Sequence, residues 1–486
     1  MINAMEFIPV TEASYPFAAA DIKCKFSDIG YVEDEYFVSG TANVYTEKNG
    51  QKEVLLEGAP YTTRLLIRRP ERVESFSGNV VVEILNASAM MDIDRMWVNS
   101  WEFFTRNGDI YIGISSKGHV VDALKRFDPE RYAPICWDNP LPDRTPPEEG
   151  AAQFMFLPEY ESGLFWDMLT DLAHLLRKEG DMNPIAQYGK NVLYLTGWSQ
   201  SGSYLMRYLK SFAYRPEVKQ GRPVFDGYLA AGSGVEPAPI NAYELAERML
   251  GNIGVPKGNV AGAKEPFICV NTESENRNAF WYGDFDQPDF KFRTYQISGS
   301  SHDSYNNLVE YYKGRGEEDV ERIGGKIGYD GVDGEAMDYP YEGIFNASFY
   351  HLYRWVREGI PAPHAPKIET EITGPEMQDP FGAYVRNRTD AFGNAKGGIR
   401  TAAIDYPIGT YSSHSVDRDG RIIPMFGKVN PFSAELLKEL YGDLNHYREL
   451  VAQRTDEVIA QGFILPEDRA THIEAVVALA ARRGLE

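Results

Sequence analysis

The residue with the clearest chemical setting is Ser199, in Gly197-Trp198-Ser199-Gln200-Ser201-Gly202. A serine hydroxyl is a poor nucleophile until a base takes its proton and an acid orients that base. The apolar run Asn191–Leu195 ahead of it fits a buried strand, and Tyr204, Leu205 and Tyr208 behind it take up helical spacing. A strand that turns sharply into a helix about a central Ser, in the pattern G-x-S-x-G, lifts the hydroxyl over the sheet edge. Strand and helix then pass so close that the residues two before and two after must be small. Gly197 and Ser201 meet that need, although Ser201 stands where Gly is commonest. The helix N-terminus would direct N–H groups at any anion formed there.

The base and the acid should follow in the order Ser, Asp or Glu, His, each past the end of a strand. Of the eight histidines, His302 alone closes a strand-like run of that set: Phe290–Ile297 leads into Ser298-Gly299-Ser300-Ser301-His302. His174, His351, His446 and His472 lie in helical patterns, and His119, His364 and His414 lie in other loops. The strand Pro266–Asn271 ends at Thr272-Glu273-Ser274-Glu275, so Glu273 is the first carboxylate available and the expected acid. Glu275, Asp284 and Asp286 are its rivals. An oxyanion hole needs two backbone donors. Gln200, next to the nucleophile, should give one, and Asn86 or Ala87, after the run Asn79–Leu85, the other.

The elements that carry these residues alternate between strands and helices from Asn79 to His302, which implies βαβ units and a mostly parallel sheet flanked by helices. Glu35–Arg69 reads as antiparallel hairpin pieces turning at Asn49-Gly50, placed at one edge of that sheet. Helices are expected over Asp92–Arg106, Ser162–Leu176, Tyr243–Leu250 and Ile344–Glu358. The irregular, proline-rich stretch at about 117–160 has the character of a lid-like insertion. Its Trp137 and Phe154, with Trp198 beside the serine, are the expected substrate contacts; the rival reading is aromatic cover for the sheet. Residues 1–360 are expected as the core and 361–486 as a β/helical C-terminal extension.

The totals exclude several classes of function. The 486-residue chain carries a net charge of −22, which disfavours nucleic acid, because that affinity depends on Lys and Arg neutralising phosphates. Its three cysteines, Cys24, Cys136 and Cys269, are far apart and form neither a disulfide framework nor a metal motif. A reducing compartment fits them. The N-terminus shows no basic and then apolar signal pattern, so the cytoplasm is the expected location, and no apolar run reaches membrane-spanning length. No metal and no cofactor is expected: the glycine-rich Gly324–Glu335 lacks a Walker Lys-Ser/Thr, and Asp417–Gly420 lacks the other oxygen ligands of a calcium loop.

Taken together, these residues resemble the α/β-hydrolase superfamily of serine esterases and lipases. More narrowly, the chain looks like the long "alpha/beta hydrolase domain" proteins. The likeness is carried by VVVEILN, GWSQSG, VNTESE, GSSHD, WVREGIPAP, DAFGNAKGGIRTAAIDYPIG and QGFILPED, which run from about Asn79 to the end. It implies an α/β-hydrolase fold and a small-molecule carboxylic ester as substrate. It also implies Ser199, Glu273 and His302 as a triad working through an acyl-enzyme, with no cofactor. Acyl transfer or amide hydrolysis on the same triad, and a non-catalytic small-ligand binding protein, are the competing expectations.

Overall fold

The computed structural model describes residues 1–19, 23–48, 51–145, 157–233, 237–241, 243, 263–275, 283–329, 332–372 and 385–486. They fall into two compact units. Of the described residues, the first takes those within Met1–Gly251, 263–265 and Tyr312–Lys326, and the second those within Pro266–Tyr311 and Ile327–Glu486.

In the first unit the strands are β1 (Ile2–Phe7), β2 (Tyr31–Lys48), β3 (Gln51–Pro70), β4 (Asn79–Ile84), β5 (Ile110–Ile114), β6 (Val192–Trp198) and β7 (Gly227–Ala231). They lie side by side in the order β1-β2-β3-β5-β4-β6-β7. β4, β5, β6 and β7 pair in parallel, whereas β1, β2 and β3 form the antiparallel edge. Every residue of β4 is buried, which explains its unbroken apolar run: a parallel strand is covered on both faces and has no reason to alternate. The Asn49-Gly50 turn lies outside the described residues, but Lys48 pairs with Gln51 across it. β1, which pairs with β2, was not legible as a strand.

The helices of this unit are α1 (Arg95–Asn107), α2 (Val121–Phe127), α3 (Phe165–Leu175), α4 (Gln200–Ser211) and α5 (Arg315–Arg322). α1 stops at Gly108, whose φ of 78° is left-handed; a Cβ there would stand 2.1 Å from the Ser75 carbonyl oxygen, so only glycine fits. Its N-terminus is capped from the neighbouring strand, since the Glu83 carboxylate of β4 accepts from the N–H groups of Met96 and Trp97. Behind the sheet, fully buried Arg64 of β3 pairs with Glu35 and Asp92. Removing one member of such a group strands a buried charge at a cost of about 3–5 kcal/mol.

In the second unit β8 (Phe267–Thr272) runs parallel to β10 (Phe290–Ile297), which also pairs antiparallel with β9 (Phe285–Gln287). Thr272 is level with Ile297, so the acid loop and the histidine loop leave adjacent strand ends. Helix α6 (Glu342–Glu358) ends at Gly359, with φ 72°. Residues 361–486 belong to this unit. They contribute short paired strands, including Gly409–Ser412 with Lys428–Pro431, and the helices Ala434–Tyr441, Leu444–Ala460 and Arg469–Arg482. The expected helix Tyr243–Leu250 lies almost wholly outside the described residues.

Candidate active site

Ser199 follows the last residue of β6 and precedes the first of α4, with φ 56° and ψ −122°. A positive φ is costly for a residue with a Cβ, about 1–3 kcal/mol where the surroundings enforce it. Two backbone bonds do so: Ser199 N–H donates to the Ala231 carbonyl at 2.8 Å, and Ser203 N–H donates to the Ser199 carbonyl at 3.1 Å. The close pass of strand and helix is visible at Gly197, where a Cβ would meet the Ser201 carbonyl oxygen at 2.6 Å and its carbon at 2.7 Å. Gln200 opens α4, in the first turn, where N–H groups have no acceptor within the helix. A strained serine at a helix N-terminus is built to present its hydroxyl and to receive negative charge.

The loop after β4 separates the two expected oxyanion donors. Asn86 N–H is committed to the Ile93 carbonyl at 2.9 Å, and Ile93 N–H returns the bond at 2.8 Å. The main-chain donor of Asn86 is therefore spent, a correction to its expected part in the hole. Its side chain acts as a clamp instead, donating from Nδ2 to the Trp198 carbonyl at 2.8 Å and accepting from Ser88 N–H at 2.8 Å. Ala87 N–H has no hydrogen-bond partner among the described residues. The Ala87 carbonyl is held from the other side by Met90 N–H and by His119 Nε2, each at 3.0 Å. Burial, with the Lys117 charge beside it, pushes the His119 imidazole down to about 4, so the ring is neutral and donates.

The acid loop corrects a second expectation. The carboxylate on the His302 imidazole is that of Glu275, with Oε1 2.7 Å from Nδ1. Its other oxygen, Oε2, accepts from both Thr272 N–H and Thr272 Oγ1, each at 2.7 Å, so the carboxylate is fixed at both ends. Glu273 is turned to other work: it accepts from Gly299 N–H at 2.7 Å and from Asn387 Nδ2 at 3.1 Å. Asp284 is taken up by Thr294 N–H, His364 and Lys367, and Asp286 by Arg293. The pattern Thr272-x-x-Glu275 is the signal that could have found the partner, because a Glu three residues past a Thr reaches back to its N–H.

The C-terminal extension holds both loops from outside. Ser298 N–H donates to the Ile399 carbonyl at 3.1 Å, and Ile399 N–H to the Gln296 carbonyl at 2.7 Å. Ser274 Oγ accepts from His302 N–H at 3.0 Å and donates to the Ser413 carbonyl at 2.8 Å. Asp303 N–H donates to the Met425 carbonyl at 2.9 Å, and a Cβ on Gly427 would stand 2.5 Å from Ser301 Cβ. His302 is thereby held almost wholly buried.

The model of a protein family described as "Alpha/beta hydrolase domain" matches residues 4–474. The chain belongs to that family. No curated protein matches this alpha/beta hydrolase domain protein. It is similar to solved structures described as an alpha-beta serine hydrolase homologue from Coxiella burnetii, fungal esterases from Rhizomucor miehei and an S-formylglutathione hydrolase from Agrobacterium tumefaciens. The first is 11% identical with a TM-score of 0.28, over 51% of this chain and 88% of that one. The second is 8% identical with a TM-score of 0.32, over 62% and 87%. The third is 12% identical with a TM-score of 0.28, over 55% and 87%.

Of the aromatics expected to meet substrate, Trp137 of the alpha/beta hydrolase domain protein is fully buried. Its segment is tied down by the bridges Thr62–Cys136 and Asp138–Tyr160. Phe154 lies outside the described residues, and Trp198 is buried at the end of β6. Among the described residues no group of three His, Cys, Asp or Glu side chains could hold a metal ion. None of their helices is long and apolar enough to cross a membrane.

Proposed function

We propose that the chain is a serine hydrolase cleaving carboxylic esters, with Ser199 as nucleophile, His302 as base and Glu275 as the acid that orients it. The observation that carries the reading is the backbone of Ser199, which holds a strained positive φ at a strand-to-helix turn where Gly197 leaves room for nothing larger. Chain order and the His302–Glu275 pair support the remainder. With Nδ1–H donated to Glu275, the imidazole exchanges a proton through Nε2. It takes the hydroxyl proton as Ser199 Oγ attacks the ester carbonyl. The N–H groups of Gln200 and Ala87 receive the oxyanion, and the imidazolium returns its proton to the leaving alcohol. Water, activated by the same imidazole, then releases the acyl group.

A fluorophosphonate probe tests the nucleophile. It should label the folded protein at Ser199, located by peptide mass, and Ser199→Ala should abolish labelling. Turnover of p-nitrophenyl esters and lactones graded by acyl length then defines the substrate class. Transfer to an added alcohol, or cleavage of an anilide faster than its ester, would redirect the reading to an acyltransferase or an amidase. An unlabelled, folded protein would leave only a small-ligand binder. Trp137→Ala, Phe154→Ala and Trp198→Ala, ranked on the same ester series, test the aromatic wall.

A further inference from the structure

Leu85 is the last residue before the Asn86–Ala87 loop, and its carbonyl takes two hydroxyl donors, Ser116 Oγ at 2.8 Å and Ser201 Oγ at 3.0 Å. With both protons spent on that carbonyl, each hydroxyl oxygen can only accept from elsewhere. Lys117 Nζ lies against both, 2.7 Å from Ser116 Oγ and 3.4 Å from Ser201 Oγ. Lys117 is wholly buried, and its Nζ stands 4.0 Å from the centre of the Tyr204 ring of α4. Three elements therefore meet on one amine: the end of β4 through Leu85, the segment after β5 through Ser116, and the first turn of α4 through Ser201. Burying an amine costs free energy, as the fall of its pKa to about 7 under burial records. An apolar side chain would fill the same space without that cost, but it could not donate to two hydroxyls at once.

We propose that Lys117 is a positioning residue for the oxyanion hole. Through Ser116 and Ser201 it locks the Leu85 carbonyl, and so fixes the gap between Ala87 N–H, two residues along, and Gln200 N–H, the neighbour of Ser201. The proposal rests on the serine-hydrolase reading above and gives Ser201 a reason to replace the commoner glycine: its hydroxyl is one arm of the lock. His119, on the Ala87 carbonyl, pins the far side of the same peptide run.

The test uses the full chain and four proteins: wild type, Lys117→Met, Ser201→Gly and the double variant. Each is measured for kcat and KM on p-nitrophenyl acetate, and for inhibition by phenylboronic acid, whose tetrahedral adduct with Ser199 places an oxygen in the hole. Lys117→Met should lose about 10- to 100-fold in kcat, the effect of displacing rather than deleting a donor. KM should change little, and boronate affinity should fall by a matching factor. Ser201→Gly should lose about 3- to 10-fold, and the double variant no more than Lys117→Met, because both act along one path. Wild-type kcat and boronate affinity in Lys117→Met would overturn the proposal. So would a variant that loses only thermal stability. If Lys117→Met does not fold, Ser201→Gly and Ser116→Ala decide by the same kcat and boronate readings. A wild-type chain that fluorophosphonate does not label at Ser199 sinks the hydrolase reading and the proposal together. A labelled wild type with an unaffected Lys117→Met sinks the proposal alone.

Discussion

Replacing Glu275 by Gln is the sharpest probe of the acid, because Thr272 constrains what the new amide can do. In the native loop Oε2 accepts from Thr272 N–H and from Thr272 Oγ1, while Oε1 takes the Nδ1 proton of His302. A glutamine has one acceptor oxygen for these two sides. If that oxygen stays on His302, its NH2 faces the Thr272 N–H, which cannot rotate away, and a buried donor goes unpaired at about 1–3 kcal/mol. If the amide flips, the NH2 faces Nδ1, so the ring proton moves to Nε2 and the imidazole can no longer accept from a serine. Taking about 2 kcal/mol for the preference leaves a few per cent of the productive tautomer. Loss of the charge that steadies the imidazolium adds about 1.5–3 kcal/mol, the value of a hydrogen bond to an ionised group. The two together predict a fall in kcat of about 400- to 5,000-fold on p-nitrophenyl acetate. Glu273→Gln should cost less than about tenfold: its oxygen can keep Gly299 N–H, and the Asn387 amide can turn to accept. Near-native kcat in Glu275→Gln, or Glu273→Gln as the crippled variant, would refute this reasoning.

Ser199→Gly should abolish ester turnover yet raise stability in urea by about 0.5–2 kcal/mol, because relief of the positive φ outweighs the added chain entropy; a less stable variant would contradict the strain. Gly197→Ala places a Cβ 2.6 Å from a backbone oxygen of the first turn of α4. It should cost about 1–3 kcal/mol and most of the activity, and a silent Gly197→Ala in the same two assays would contradict the close pass. For Lys117 the sign follows from its lowered pKa. Between about pH 7 and its ordinary value of 10.5 the unfolded chain holds a proton that the folded chain lacks. Wild-type stability relative to Lys117→Met should therefore be flat below about pH 7 and rise above it, by up to about 1.4 kcal/mol per pH unit. Asp92 and His119, which share its surroundings, are present in both proteins and largely cancel in the difference. Parallel pH profiles from urea titrations would rule the shift out.

The strand-to-helix turn at Ser199 was legible because local demands converge there: an apolar run, a small residue on each side and helical spacing all fall within one short stretch. Likewise β4 announced itself by its unbroken apolar residues and α1 by the glycine that ends it. What was hidden depends on partners distant in sequence. Glu273 is the nearer of the two to the end of β8, and what turns the choice to Glu275 is Gly299 and Asn387, which claim Glu273. Asn86 and Ala87 are neighbours with equivalent N–H groups, and a bridge to Ile93 spends one of them. Lys117 is not legible as a site residue, because a lone lysine after a strand is ordinarily a solvated charge. Only its burial against Ser116 and Ser201 gives it a role.

The backbone that fixes the histidine loop is synthesised well after the loop itself. Ile399, Ser413, Met425 and Gly427 all follow His302, the farthest by 125 residues (427 minus 302). At synthesis rates of about 5–20 residues per second, the imidazole exists for roughly 6 to 25 s before its last support is made. The serine turn, complete by then, belongs to a chain whose proposed base is still unanchored. Nascent chains stalled short of residue 399 should accordingly fail to react with a fluorophosphonate, and reactivity should appear only after residue 427 has left the exit tunnel. Full labelling of the shorter chains would show that the extension is dispensable for holding the base. Otherwise the order of translation acts as a timer on the proposed activity, holding it back until the segments that follow His302 and support its loop have been made.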